Sequence, residues 1–384
     1  MNLYVFIEIC LIFLQISNLY CQNPIMPDIS TADPAAMVYG DSMYIYAGND
    51  EDNMESYHVL SSADMVHWKD HGRLLKISDF AWAQNMAWAG QCIERDGKFY
   101  WYVPLNTKSG EGMKIGVAVG NSLTGPFTDA IGIPLVEGFD PAVFIDKDGQ
   151  AYLYSGSGTC EVMLLEDNMV EPEGTKITIP LPDYFEAPYM HERDGTYYLS
   201  YCSSISAGQE ILYATATSPF GPFTFQSRLC GPVDTWSNHQ SIAKFKGQWY
   251  FIYHINGKNR WRSTAIDYLY YNSNGTMKEI VQTSEGVDPV GTSPVNIKHV
   301  MQDNEKNLFT IYPNPSSNHE ITIDLSVLVN PRVIMIFDIN GNIIYSYSTI
   351  NSTLIKPGID LSPSVYFVKV LTANKVYIRK LVIY

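Results

Sequence analysis

The sequence predicts an all-β protein, a five-bladed β-propeller followed by a small β-sandwich. Three observations carry this. One segment recurs five times at a period near 50 residues within the first 280, the spacing of a propeller or a solenoid. Each copy holds a Gly- or Asp-containing turn between two apolar-alternating runs, which reads as a hairpin. A separate set of short strands starts after residue 307 and runs to Tyr384. The 27 Tyr, 16 Phe and 7 Trp fit such a fold, because aromatic side chains pack well on pleated sheets.

The five copies are DPAAMVYGDSMYIYAGND from Asp33, WAGQCIERDGKFYWYVPLN from Trp88, DPAVFIDKDGQAYLYSGSG from Asp140, EAPYMHERDGTYYLSYCSS from Glu186 and HQSIAKFKGQWYFIYHING from His239. Their leading residues lie 55, 52, 46 and 53 apart. The tips Gly40-Asp41, Asp96-Gly97, Asp148-Gly149, Asp194-Gly195 and Lys246-Gly247 suit the positive φ of tight hairpins. No helical stretch separates the copies, which excludes a helical solenoid. Second hairpins follow at VLSSADMVHWKDHG, GVAVGNSLTGPFTDAIG and YATATSPFGPFTFQSRL, and two hairpins make a four-stranded blade. The last outer hairpin is expected in RSTAIDYLYYNSNGTMKEIV, residues 262–281.

Around this core, residues 1–21 are apolar and read as a secretory signal peptide, although no Lys or Arg precedes Leu11 and Glu8 interrupts the run. A lipid anchor at Cys21 is the alternative, disfavoured by the bulky Tyr20 before it. No second stretch reaches the ~18 apolar residues of a membrane span. The propeller is expected over 23–282 and a Gly-, Pro- and Ser-rich linker over 283–306, with the sandwich over 307–384. Beyond the leader, Cys92, Cys160, Cys202 and Cys230 remain, either in one or two disulfides or as buried free thiols.

The net charge is −15 and no Lys/Arg run exists. That excludes a phosphate-binding surface for nucleic acid or anionic lipid and fits a neutral substrate. Radial repetition brings the starts of the innermost strands to the central channel, so Asp33, Trp88, Asp140, Glu186 and His239 should converge there. Buried acids cost stability unless partnered or used. One Asp-Pro is readily a turn cap. Two of them, with Glu-Ala-Pro in the equivalent place, point to paired-carboxylate chemistry, such as cleavage of a glycosidic bond.

The motifs TADPA (31–35), YHVLSSADMVHWKDHG (57–72), WAGQCIERDGKFYWYV (88–103), FDPAVFIDKDGQAYLY (139–154), FEAPYMHERDGTYYLSY (185–201), NHQSIAKFKGQWYFIYH (238–254) and RSTAIDYLYYNSNGTM (262–277) resemble, in order, the family 43 glycoside hydrolases. The resemblance implies an inverting hydrolase of plant-cell-wall glycans, an α-L-arabinofuranosidase or β-xylosidase acting on arabinoxylan or arabinan. It makes Asp33 the general base, Glu186 the general acid and Asp140 the modulator of the acid's pKa. Arg262 is expected to pair with Asp140, or else to be an ordinary surface arginine. Trp88 is either a sugar-stacking platform or core. His239 is either a substrate-pocket residue, a neighbour of a calcium site, or a structural histidine; no cofactor is otherwise required. Gly90 departs from the proline many relatives carry.

Other readings are an endo-arabinanase, an exo-β-1,3-galactanase, or a non-catalytic carbohydrate-binding propeller, which would not need all three acids. A retaining sucrose-type propeller lacks support, because Ala32-Asp33-Pro34-Ala35 is not its Asn-Asp-Pro-Asn nucleophile motif. The C-terminal motifs YPNPSS (312–317), FDINGNIIYS (337–346) and SPSVYFVKV (362–370) resemble a type A sorting domain of type IX secretion. That implies the type IX machinery as a partner and a secreted, extracellular or surface-attached protein. A carbohydrate-binding sandwich is the competing reading.

Overall fold

Each of the five repeats folds as one antiparallel sheet. The computed structural model describes residues 23–290 and, within 309–384, all but 317–319, 329–330, 340–342, 349–351 and 373–375. The expected signal peptide at 1–21, most of the expected linker and the Asn340-Gly341 turn lie outside the described residues.

Blade one runs Ala32–Tyr39, Ser42–Gly48, Ser56–Ser62 and Lys69–Lys76. In blade two the innermost strand Gln91–Arg95 pairs with Lys98–Thr107, and shorter strands extend the sheet to six. Blade three is built from Ala142–Ile145, Ala151–Ser155, Cys160–Leu165 and Pro172–Ile179. Blade four comprises Tyr184–Arg193, Thr196–Ser203, Ile211–Ala216 and Thr224–Cys230. Blade five has Gln240–Phe245, Gln248–Asn256 and Arg262–Leu269.

The innermost hairpins close where the turn residues placed them. Tyr39 pairs with Ser42, Arg95 with Lys98, Arg193 with Thr196 and Phe245 with Gln248. At three of these tips both residues have positive φ, including Lys246 at 46° and Gly247 at 88°, the backbone twist that matches paired strands.

The ring is held by five apolar clusters among the described residues, one at each blade interface. Tyr46, Tyr57, Trp101 and Phe127 lie between blades one and two, and Tyr102, Val117 and Leu153 between two and three. Tyr154, Tyr184 and Tyr201 join three to four, Tyr213, Phe251 and Tyr253 join four to five, and Ile45, Phe245 and Tyr250 close five onto one. Polar stitches add direction. The amide of Gln91 donates to the Val143 carbonyl at 3.2 Å, that of Gln240 to the Ala187 carbonyl at 3.0 Å, and the hydroxyl of Ser241 to the Pro34 carbonyl at 2.8 Å.

The fifth blade corrects the expected outer hairpin. Beyond Leu269 only the isolated bridge Tyr271–Met277 forms. The chain instead crosses to blade four, where the N–H of Ile280 donates to the Leu229 carbonyl at 2.7 Å. The outer edge of blade five is taken by residues 23–31: the N–H groups of Ile25 and Thr31 donate to the carbonyls of Thr264 and Arg262, at 2.8 and 2.9 Å. An open strand edge is thereby covered by the start of the chain.

The expected linker also begins too early. Thr283 hydrogen-bonds Asp267, Asn23 donates to the Ser284 carbonyl, and the N–H of Val290 donates to the Asp64 carbonyl at 2.8 Å. Val287 is buried, and the propeller unit extends to Thr292. Over residues 283–290 the Gly- and Ser-rich composition marks a turn-rich clasp.

The second unit, Ser293–Tyr384, has a three-stranded and a four-stranded sheet. Between their inner faces lie Phe309, Ile323, Ile334, Ile336, Val368 and Leu381, as in a sandwich. Cys92, Cys160, Cys202 and Cys230 are all buried free thiols, so the disulfide alternative does not hold. Among the described residues no helix is long and apolar enough to cross a membrane.

Candidate active site

Asp33, Asp140 and Ala187 share an unusual backbone conformation, with φ of 51°, 47° and 57°. Each immediately precedes a proline, which ordinarily drives the residue before it to extended backbone. Three repeats of this strain in one ring mark a functional site rather than a packing accident. They also refine the repeat: Ala187, not Glu186, matches the two aspartates, and Glu186 sits one residue earlier. Register shifts flank Glu186 on both sides. The turn at Ala187 aims its N–H at Asp140 Oδ2, 3.1 Å away.

Asp33 is buried and fully partnered. Arg262 Nη1 donates to its Oδ1 and Oδ2 at 2.8 and 3.0 Å, and the Asp33 N–H donates to His254 Nδ1 at 3.1 Å. His254 Nε2 lies 2.9 Å from the Ser237 carbonyl, which assigns the proton to Nε2 and leaves Nδ1 to accept. Burial alone would raise the Asp33 carboxyl. The positive charge of Arg262 outweighs it and holds Asp33 well below the usual carboxylate range.

Arg262 was expected beside Asp140; it is not. The rest of its guanidinium fork goes to Asp50, with Nε to Oδ2 at 3.1 Å and Nη2 to Oδ1 at 2.8 Å. Nor is it a surface arginine, being only 3% exposed. A planar guanidinium donates from two edges, and the edges here face two different carboxylates.

Among the described residues Asp140 therefore has no Lys or Arg paired with it. Burial, then the charges of Glu186 and Asp33, push its carboxyl well above the ordinary range. Glu186 rises to about 7, through burial and the charge of Asp33. Together the pair retains a proton near neutrality. His239 Nδ1 lies 3.6 Å from Asp140 Oδ2 and 4.0 Å from Asp33 Oδ1. Burial lowers its pKa to about 4, against the pull of Asp33, so the ring between the aspartates is neutral at pH 7.

Trp88 is half-buried, its ring edge-on to Phe139 at 5.5 Å and its indole N–H 3.0 Å from Met54 Sδ. It thus flanks Asp140 through Phe139. Gly90 has a local reason: a Cβ there would come within 2.8 Å of the Tyr102 carbonyl oxygen. The carboxylates nearest His239 are those of Asp140 and Asp33, and Asp33 is committed to Arg262.

Sequence reasoning missed Asp50, His254, Ser237 and Trp236. Tyr57 was missed as well. Its buried hydroxyl has no hydrogen-bond partner among the described residues, and the charges of Asp33 and Asp140 both reach it.

A five-bladed propeller with three carboxylates gathered at its channel fits a glycoside hydrolase, which needs one carboxyl as acid and another as base. Residues 21–277 match the family model for glycosyl hydrolases family 43, and the chain belongs to that family. It is 32% identical over 320 residues to a xylosidase/arabinosidase of Humicola insolens, covering 66% of this chain and 97% of that protein. An arabinoxylan arabinofuranohydrolase of Bacillus subtilis is 31% identical, with 71% and 67% covered.

Among solved structures, a β-xylosidase/α-arabinofuranosidase from a compost microbial metagenome, in complex with xylotriose, superposes with a TM-score of 0.64 at 32% identity, covering 67% of this chain and 97% of that one. A family 43 enzyme of Xanthomonas citri complexed with xylose gives 0.64 at 33%, with 68% and 94% covered. Residues 310–384 match a secretion system C-terminal sorting domain. The chain is exported by type IX secretion to the cell surface or beyond.

Proposed function

We propose that the chain is an inverting hydrolase of pentose-containing plant-cell-wall glycans, an α-L-arabinofuranosidase or β-xylosidase on arabinoxylan or arabinan. The observation that carries this is the split among three acids: buried Asp33 held ionised by Arg262, partly buried Glu186 raised to about 7. Pairs of titratable groups pushed apart in this way divide into base and acid. Asp33 takes a proton from water as the water oxygen attacks the anomeric carbon. The glycosidic C–O bond breaks, and Glu186 gives its proton to the departing oxygen. Asp140 is the modulator: its proximity to Glu186 disfavours two charges and keeps a proton on the pair.

Trp88 and His239 would line the pocket, and Arg262 would bound it behind Asp33. No cofactor enters this scheme. The names of the relatives support a pentose substrate. Residues 1–21 would be the export signal, and the sorting domain would be removed after passage. Hydrolysis of a panel of nitrophenyl pentosides, with arabinoxylan, arabinan and galactan, tests the reading. Release of arabinose or xylose is expected; cleavage of galactan alone would overturn it.

A further inference from the structure

We propose that Trp236 is a sugar-stacking platform at the mouth of the propeller, holding the ring next to the one cleaved; this rests on the hydrolase reading above. Trp236 is 62% exposed, the only tryptophan among the exposed large hydrophobic residues described. Exposure alone means little, but this ring is fixed. One face lies 4.1 Å from the Arg262 guanidinium carbon, and that guanidinium is itself clamped by Asp33 and Asp50.

The loop beneath is pinned as well. The Asp234 carboxylate accepts the Asn256 N–H at 2.9 Å, and its carbonyl accepts the Asn256 amide at 2.6 Å. The Thr235 hydroxyl donates to the Ser237 carbonyl at 2.7 Å, and the Ser237 hydroxyl accepts from Arg262 at 3.1 Å. An indole so ordered presents its free face to solvent with little entropy left to lose on binding.

The chemistry of that face suits a sugar. A neutral ring with one C–H-rich side packs against an aromatic face, whose negative quadrupole favours the polarised C–H edges. The position suits the neighbouring ring rather than the cleaved one. The cleaved ring must lie between Asp33 and Glu186, whereas the guanidinium of Arg262 that pairs with Asp33 is the group that Trp236 stacks on. The bland alternative is that Trp236 only shields Arg262 from water.

The test uses Trp236→Ala and Trp236→Phe with two probes, a pentosyl fluoride, whose one-atom leaving group does not reach the neighbouring position, and a trisaccharide, xylotriose or arabinotriose. Trp236→Ala should raise KM for the trisaccharide about ten-fold, the scale of one lost stacking contact. It should leave kcat/KM on the one-sugar substrate within about three-fold, and Trp236→Phe should restore most of the loss. Equal falls on both substrates would show a shielding role and overturn the proposal, as would no change on either. Calorimetric titration of xylotriose and arabinotriose into Glu186→Gln, with and without Trp236→Ala, reads binding without turnover. If the wild type cleaved no pentoside, the functional reading would fail while this titration still decided the platform: trisaccharide affinity unchanged by Trp236→Ala would sink it.

Discussion

Asp33 and Asp140 are the same residue type in equivalent places. Both precede a proline with positive φ, both are buried, and both lie within 4.0 Å of His239. Yet one is held ionised and the other is pushed towards its neutral form. The difference comes from the neighbouring blade. Blade five sends Arg262 to Asp33, while blade four offers Asp140 only the Ala187 N–H and a second acid, Glu186. The repeat supplies the positions; the interface between blades sets the charge.

Exchanging the acids tests this division most forcefully. Glu186→Gln should lower the rate on natural glycans by roughly 10²–10⁴-fold, the usual contribution of a general acid. It should spare activated nitrophenyl substrates more, since their leaving groups need no proton. Asp33→Asn should damage both substrate types alike. Near-wild-type activity of Glu186→Gln on glycan would remove it from the acid role.

Arg262→Met attacks the cause of the asymmetry. In the wild type kcat/KM should fall as pH rises through about 7, because Glu186 acts protonated and loses its proton there. No acid limb should appear near pH 5, because Asp33 acts ionised and its pKa is depressed. Without the guanidinium, burial beside two other acids should lift Asp33, so an acid limb should enter the profile and activity fall by about 10²-fold. A profile unchanged by the substitution would mean that Arg262 does not hold Asp33 ionised.

Asp50→Asn should do less. The positive charge stays, so no acid limb is expected, but the guanidinium loses the partner that fixes its plane. A drop in kcat of about ten-fold is expected, since an ångström of misplacement can cost ~10²-fold. A new acid limb here would show that Asp50 acts on charge rather than on orientation.

Much of this was legible because the repeat writes itself into local chemistry. The turn dipeptides fixed the hairpins, and Asp33-Pro34, Asp140-Pro141 and Glu186-Ala187-Pro188 marked the starts of inner strands. What stayed hidden depends on which blade edge meets which. Arg262 could be placed near the acids, but a sequence does not say which of two like carboxylates a cation reaches. Asp50 sits between strands of blade one and His254 within a middle strand of blade five, each with no local signature. The missing outer strand of blade five failed for a similar reason. Asn274-Gly275 is a sound turn signal, but residues 23–31 already occupy that edge.

The central claim is that Asp33 activates water and never bonds to carbon. Proton NMR of the reaction in its first minutes, before mutarotation, reads the anomeric configuration of the first sugar released. The account predicts the configuration opposite to that of the bond cleaved. Appearance of the retained anomer first would contradict it and make Asp33 a nucleophile.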